Sequence, residues 1–203
     1  MRKRDLVVLA FTGIVMLGVG CKKTLDKSAF KSTIDNYYST RQECLWAAPV
    51  KFPAQADTSN DEQTQGFDAL TDAGLLTRKA VEKKRFLVGS KQVNDYDLST
   101  QGRTAWSADP SQPGYGNFCY GHPSVTTVDA FTPTASADNT EQYSVNYHYA
   151  IINVPGWANT TEMKTAFPKV ASNTLGQRTA TASLVKSNEG WQVVNVSPVP
   201  PGQ

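Results

Sequence analysis

The chain has 203 residues, of which 39% are hydrophobic, and it carries 20 Lys and Arg against 18 Asp and Glu. Three of the basic residues and one acidic residue lie in the first five positions, so the chain from residue 21 onward is electrically balanced. A balanced domain lacks the positive surface excess that nucleic-acid binding requires, and this excludes that class of partner. The length allows one ordinary domain with a core of its own.

The N-terminus has the three-part pattern of an export signal. A basic start at residues 2–4 is followed by an apolar run from Leu6 to Val19, and Gly20 then precedes Cys21. The run is shorter than the roughly 20 residues that a membrane-spanning helix needs. The pattern therefore predicts a signal that is removed after export, rather than a permanent span.

With a cysteine at the cleavage point, this pattern resembles the signal of bacterial lipoproteins. The resemblance covers residues 1–21 and implies that residues 1–20 are removed and that Cys21 carries a lipid as the new N-terminus. Gly18 stands where that family usually has Leu. The two residues that follow Cys21 are both Lys, and neither is Asp. By the sorting rule of enteric lipoproteins, this implies the periplasmic face of the outer membrane, with residues 21–27 as a tether. The alternative is an ordinary signal peptide cut nearby, which leaves Cys21 as a free thiol.

Two cysteines, Cys44 and Cys119, remain once Cys21 is assigned to the lipid. Two leftover cysteines in an exported protein most often join, so we predict a disulfide between them. It would close a loop of about 75 residues and stabilise the fold by roughly 4 kcal/mol on the chain-entropy argument. The alternative is a pair of buried free thiols. No C-x-x-C sequence occurs, so a thioredoxin-type redox role has no support.

The N-terminal part of the chain is predicted to be mostly helical. Apolar side chains at spacings of three and four predict a helix from Ser28 to about Trp46, and a second from about Thr64 to Ala73 that Gly74 ends. The polar stretch Lys51–Gln65 predicts a loop. Thr77–Arg85 predicts a further helical turn.

The remainder is predicted to be mainly strand. Gln142–Asn153 alternates, with Tyr143, Val145, Tyr147 and Tyr149 on one side and polar residues on the other. Thr160–Phe167 predicts a short helix, and Ser187–Gly190 predicts a hairpin turn. The predicted strands are 96–99, 103–107, 118–120, 126–131, 142–153, 179–186 and 190–196.

Helices followed by sequential strands predict an α+β fold with an antiparallel sheet. We expect a single domain over residues 28–197, with a helical part at 28–88 and a sheet part at 93–197. A tail at 198–203 follows it.

Two segments resemble known folds. Phe67–Arg78 (FDALTDAGLLTR), with Tyr96–Ser99 and Gly102–Arg103, resembles a winged helix, in which a helix ends in Gly-Leu-Leu and a Tyr-x-Leu-Thr strand enters the wing. Ser99 stands where that family usually has Thr. The resemblance, over residues 67–103, implies a local helix and hairpin only, and no DNA-contacting residue is transferred to an exported, uncharged domain.

Residues 115–196 resemble NTF2-like domains, whose last hairpin often reads like Leu184-Val185 followed by Gly190–Val194. This resemblance implies N-terminal helices packed on a curved antiparallel sheet, with ligands or an active site at the mouth of the cone. Because it is an analogy of fold, it identifies no particular function.

Few residues are candidates for catalysis. His148 lies on the polar side of the Gln142–Asn153 strand, either as a general base or as a hydrogen-bonded strand residue. His122 precedes Pro123 and is typical of a turn, and disulfide formation would remove the thiol of Cys119 from any Cys-His pair. We predict no catalytic residue, no metal site and no cofactor, because histidines and carboxylates lack the spacing of zinc or calcium sites.

The aromatic side chains of the sheet part either line a ligand concavity or form the core beneath the helices. Tyr147, His148, Tyr149 and Trp157 are the predicted ligand-binding residues. The functional hypothesis is a lipid-anchored module of the cell envelope that binds a small apolar ligand or an envelope protein. One alternative is an envelope hydrolase with His148 beside a carboxylate in a cleft, and another is a purely structural envelope protein with no cavity.

Overall fold

The computed structural model describes residues 27–84, 90–134 and 140–199. The predicted signal, Cys21 and most of the predicted tether lie outside the described residues, as does the end of the predicted tail at 200–203. Helices and antiparallel strands both contribute to the described chain, which confirms the α+β class. Among these residues, no helix has the length and apolar character needed to cross a membrane.

The elements alternate along the chain more than the sequence predicts. The helices are α1 (Lys27–Tyr38), α2 (Asp61–Asp72), α3 (Thr100–Ala105), α4 (Thr161–Ala166) and α5 (Pro168–Thr174), with a 3-10 turn at Gly156–Asn159. The strands are β1 (Val50–Lys51), β2 (Ala54–Asp57), β3 (Leu76–Lys84), β4 (Ser90–Leu98), β5 (Trp106–Ala108), β6 (Tyr115–Phe118), β7 (His122–Pro133), β8 (Gln142–Ile152), β9 (Arg178–Ser187) and β10 (Gly190–Pro198). The predicted division into a helical part and a sheet part is therefore too simple.

The strands form three antiparallel sheets within the described ranges, where the sequence predicts one. The largest has the order β10-β9-β8-β7, and the other two have the orders β2-β4-β3 and β1-β6-β5. Strands β7 to β10 are sequential neighbours, as the alternating patterns and the hairpin turn at Ser187–Gly190 predict. The two smaller sheets come from residues that the sequence assigns mainly to loops and helical turns.

One hydrophobic cluster lies between α1 and the four-stranded sheet. Phe30, Ile34 and Tyr38 recur every four residues, so they share one face of α1, and all three are buried. The opposing sheet face is contributed by residues that alternate along each strand. Its buried members are Val125, Val128, Val145, Tyr147, Tyr149, Ala180, Ala182 and Leu184.

A second hydrophobic cluster lies beneath α2, α4 and α5 and against the two smaller sheets. Its large, fully buried side chains come from distant parts of the chain. They are Leu70, Leu75, Tyr96, Phe118, Tyr120, Met163 and Val170. The described residues therefore bury their apolar surface in two clusters, and the sequence periodicity indicates the α1 face of the first and the α2 face of the second.

The first predicted helix is too long. α1 ends at Tyr38, and residues 39–46 turn away to run beside the segment 117–121, where the Leu45 N–H donates to the Phe118 carbonyl at 3.0 Å. Leu45 and Trp46 continue the apolar spacing of α1 by coincidence, because their side chains belong to the second cluster.

The helical turn predicted at Thr77–Arg85 is wrong over Thr77–Lys84, which belongs to β3 and pairs with β4, and Arg85 lies outside the described residues. Gly74, with φ of +77°, ends α2 as predicted and redirects the chain into β3. α2 followed by this hairpin is the local order of elements that the winged-helix resemblance implies. The loop predicted at Lys51–Gln65 also contains β2, which the sequence analysis missed.

Ser99 explains why a helix replaces the strand predicted at Arg103–Ser107. Its Oγ accepts a hydrogen bond from the Gly102 N–H at 2.8 Å and donates one to the Gly74 carbonyl at 2.6 Å. This N-cap starts α3 and ties it to the end of α2. Only Trp106–Ala108, at the end of the predicted segment, is strand.

Candidate functional site: an aromatic cleft

The predicted disulfide between Cys44 and Cys119 is present. The two residues are opposite each other on antiparallel segments, with Cα atoms 3.9 Å apart. The Tyr120 N–H donates to the Glu43 carbonyl at 2.7 Å, so hydrogen bonds flank the covalent link. The disulfide therefore holds the segment that leads into Trp46.

Trp46 is fixed through its main chain. Its N–H donates to Asn117 Oδ1 at 3.2 Å, and Asn117 Nδ2 donates to the Trp46 carbonyl at 2.7 Å. The indole contacts four further rings, and two of them, Phe167 and Phe67, have centroid distances of 6.0 Å and 6.3 Å. Because both main-chain polar groups of Trp46 are held, the ring position depends on the disulfide-linked segment.

Trp46, Phe67 and Phe167 line a cleft of about 400 Å³ between α2, β2 and the junction of α4 with α5. This volume lies within the usual range for small-ligand sites. Gly66 faces the same space, and a Cβ atom added there would lie 3.1 Å from Phe167 Cζ. The glycine therefore lets the Phe167 ring approach α2 closely.

Three polar side chains border the aromatic surface. Gln55 is engaged, because its Nε2 donates to Asp95 Oδ1 at 2.6 Å and its Oε1 accepts from Lys83. The side chains of Glu62 and Gln65 are exposed and have no hydrogen-bond or ion-pair partner among the described residues. The cleft thus combines rings that can stack on an apolar group with free polar groups that can orient it.

The residues predicted as ligand-binding do not meet in one place. Tyr147 and Tyr149 are buried against α1, and the Tyr147 hydroxyl lies 2.6 Å from that of Tyr38. His148 projects from the opposite face of β8, and Trp157 belongs to the other cluster, where its ring lies 6.1 Å from Phe118. Tyr147 and Tyr149 thus follow the alternative in which the aromatic side chains form the core.

His148 does have a carboxylate neighbour. Its Nε2 lies 3.2 Å from Asp129 Oδ2, and its Nδ1 lies 3.2 Å from Thr179 Oγ1. The three side chains form a row across β7, β8 and β9, and the His148 side chain is 38% exposed. His148 lies on an open sheet face and does not line the aromatic cleft, whereas the hydrolase hypothesis places it in a cleft.

A buried polar network lies next to the disulfide. Asn173, only 2% exposed, donates from Nδ2 to the Tyr120 hydroxyl at 2.8 Å and to Glu43 Oε2 at 3.1 Å, while its Oδ1 accepts from Arg178. Lys169 pairs with the same Glu43 oxygen at 2.9 Å. Burial, reinforced by the negative charge of Glu43, raises the pKa of Tyr120 to about 12.

The raised pKa keeps Tyr120 protonated at neutral pH, so it serves as a hydrogen-bonding group of the core and not as a base. Burial likewise raises the pKa of Tyr147. Within residues 27–84, 90–134 and 140–199, no three His, Cys, Asp or Glu side chains converge for a metal ion.

The sequence analysis missed the cleft because its aromatic residues lie far apart in the chain. Trp46 was assigned to the end of a helix, Phe67 to the apolar side of another, and Phe167 to the end of a third. The usable signal was the position of Trp46, two residues after a cysteine predicted to be bonded. The remote residue that fixes it, Asn117, is two residues before the other bonded cysteine.

Fold and cleft together define a disulfide-bonded α+β protein with an aromatic surface site. Comparison of the chain with protein-family models, with curated proteins and with solved structures finds no match.

Proposed function

We propose that this protein is a binding module of the bacterial cell envelope, anchored by a lipid on Cys21, that holds a ligand or partner segment in the Trp46 cleft. The cleft is the observation that carries the binding role, because three half-buried aromatic side chains line it beside unengaged polar groups. The export signal pattern supports the location. The disulfide supports it as well, because disulfides persist mainly in oxidising compartments.

The two alternatives have less support. A purely structural envelope protein predicts no cavity, which the cleft of about 400 Å³ argues against. A hydrolase that uses His148 needs a cleft at that residue, and His148 instead lies on an open sheet face. Binding at the Trp46 cleft is therefore the function that the described residues favour.

Removing the indole of Trp46 tests the site. We expect Trp46→Ala to weaken ligand binding at least about tenfold, because central aromatic side chains usually contribute most of the binding energy of a site. The measurement is native mass spectrometry of protein purified from its own envelope, in which a retained ligand appears as extra mass that denaturation removes. Trp157→Ala is the matched control, since Trp157 is another partly buried indole of the same cluster that does not line the cleft.

The two tryptophan variants also separate the cleft from the residues predicted by sequence. If the extra mass is absent from Trp46→Ala and present in Trp157→Ala, the result supports the cleft as the binding site. The reverse pattern would place binding at the sequence-predicted residue Trp157, and equal loss in both variants would contradict a localised site. Absence of extra mass from the wild-type protein would contradict a tightly held small ligand.

Replacing the signal sequence together with Cys21 tests the proposed lipid anchor. Replacing residues 1–21 by an ordinary cleavable secretory signal, which removes Cys21, is expected to move essentially all the protein from the membrane fraction to the soluble periplasmic fraction. Acyl chains contribute about 0.8 kcal/mol per buried CH₂, and loss of all of them leaves no comparable attachment. The control replaces only Lys23 by Ser and keeps the cysteine. A protein that stays in the membrane after the exchange is held by something other than the lipid.

A further inference from the structure

The aromatic cleft continues into a second depression between α2 and α4. This depression has a volume of about 390 Å³ and shares Gln65 and Ala166 with the cleft. The two spaces therefore form one elongated groove along α2, which we call the α2 groove. A groove made of two joined depressions suits an extended chain better than one compact molecule.

The α2 groove is acidic over its whole length. Glu62 in the cleft, and Asp72 and Glu162 in the second depression, are exposed and have no ion-pair partner among the described residues. Asp68 also lines the groove, but Arg78 pairs with its Oδ1 at 2.8 Å. Among the residues that the structure describes, no Lys or Arg lines either depression, although the chain as a whole is nearly balanced in charge.

These carboxylates do not form a metal site. A divalent ion needs several carboxylates or other oxygens around one point, and no three acidic, His or Cys side chains converge within the described part of the chain. Separated carboxylates along a solvent-open groove are complementary to the long, flexible cations of Lys and Arg. Such side chains place their apolar stems along the surface and their charges at its rim.

We propose that the α2 groove binds a segment of a partner protein in which an apolar side chain lies next to Lys or Arg. The apolar side chain packs on Trp46, Phe67 and Phe167, and the cation lies beside Asp72 and Glu162. This rests on the proposed function and specifies the chemistry of the occupant.

The experiment is selection of random short peptides, displayed on phage, against the protein purified from the envelope, with counterselection on Trp46→Ala. We expect the retained peptides to share an apolar residue close to Lys or Arg. One consensus peptide is then synthesised and its affinity is measured by isothermal titration calorimetry at two salt concentrations. Binding should weaken at the higher salt concentration, because exposed charge pairs are screened.

The charge variants complete the test. Asp72→Asn with Glu162→Gln is expected to weaken the consensus peptide about 3- to 10-fold, as the loss of two exposed ion pairs implies. The matched control is Glu141→Gln with Glu189→Gln, which removes the same charge at exposed positions outside the groove and should change affinity less than about twofold. A consensus that is acidic or uncharged, or an equal effect of both double variants, would overturn the proposal.

The outcomes distinguish this proposal from the proposed function. If no peptide depends on Trp46 while the envelope-purified protein still loses its extra mass in Trp46→Ala, the cleft binds a ligand of another class and the partner-segment proposal is wrong. If cationic peptides are retained equally by Trp46→Ala, they bind elsewhere, and the α2 groove is not their site. Selection of Trp46-dependent cationic peptides supports the proposal.

Discussion

Replacing both Cys44 and Cys119 by serine is expected to lower the free energy of unfolding by about 4 kcal/mol. The two cysteines are 75 residues apart in the chain, so the disulfide restricts a long loop in the unfolded state. That loop contains α2, α3 and β1 to β6, which make up most of the second hydrophobic cluster. The measurement is equilibrium unfolding in urea without reductant, with the change in stability read from the shift of the midpoint.

Reduction of the wild-type protein provides the control for the serine substitutions. Excess thiol should lower the stability of the wild-type protein by about the same amount and leave the double variant unchanged. A double variant within about 1 kcal/mol of the oxidised protein would mean that the loop is already restrained by other contacts. If excess thiol also lowers the stability of the double variant, the effect of reductant on the wild-type protein does not come from this disulfide alone.

The same double variant should also weaken binding at the cleft. Trp46 follows Cys44 by two residues, and its partner Asn117 precedes Cys119 by two, so the disulfide links the same two antiparallel segments that these hydrogen bonds join. Loss of the disulfide lets the Trp46 indole move, although the indole itself is still present. Binding that stays unchanged in a destabilised double variant would show that Asn117 alone is enough to hold Trp46.

The parts of the fold that the sequence predicted well are those in which one segment repeats a simple pattern. Residues Tyr143 to Tyr149 alternate in the sequence, and they alternate between the two faces of β8 in the structure. Gly74 ends a helix in both. The disulfide was predictable because the predicted export signal assigns Cys21 to a lipid, and this assignment leaves two cysteines to pair.

The parts that it predicted poorly depend on contacts between distant segments. Leu45 and Trp46 fit the spacing of α1, yet Leu45 bonds through its main chain to Phe118 and both side chains enter the other cluster. β3 shows little alternation of burial because most of its side chains are exposed, and it is a strand because of its pairing with β4. In these segments, contacts with distant parts of the chain determine the structure, although the local sequence pattern favours a different one.

The candidate site was unpredictable for the same reason. Its three rings come from the chain after α1, from α2 and from the junction of α4 with α5. No local window contains more than one of them, whereas Tyr147, His148 and Tyr149 stand together in the sequence and drew attention for that reason. A strand sends neighbouring side chains to opposite faces, so closeness in the sequence separates His148 from the two tyrosines.

Replacing Phe30 by alanine is expected to lower the free energy of unfolding by about 3–5 kcal/mol, the usual cost of removing a buried phenylalanine side chain. Phe30 is fully buried in α1, and its ring centroid lies 5.1 Å from those of Phe131 and Trp191 and 5.5 Å from that of Tyr143. The loss therefore removes the centre of an aromatic group that holds α1 on the sheet. Urea unfolding gives the value, and Leu175→Ala, at a side chain 80% exposed, is the control, with an expected change within about 0.5 kcal/mol.

Phe30→Ala also tests whether the two clusters serve different purposes. α1 follows the proposed tether and belongs to the first cluster, whereas the cleft belongs to the second. The variant should therefore weaken the packing of α1. Ligand affinity should stay within about twofold under conditions where the protein is folded. A large loss of affinity would show that the clusters act as one unit. A change in stability below about 1 kcal/mol would show that α1 contributes little to the fold. If both expectations hold, the proposed anchor and the proposed ligand site belong to different clusters, and the hydrogen bonds of Asn173 are a polar link between them.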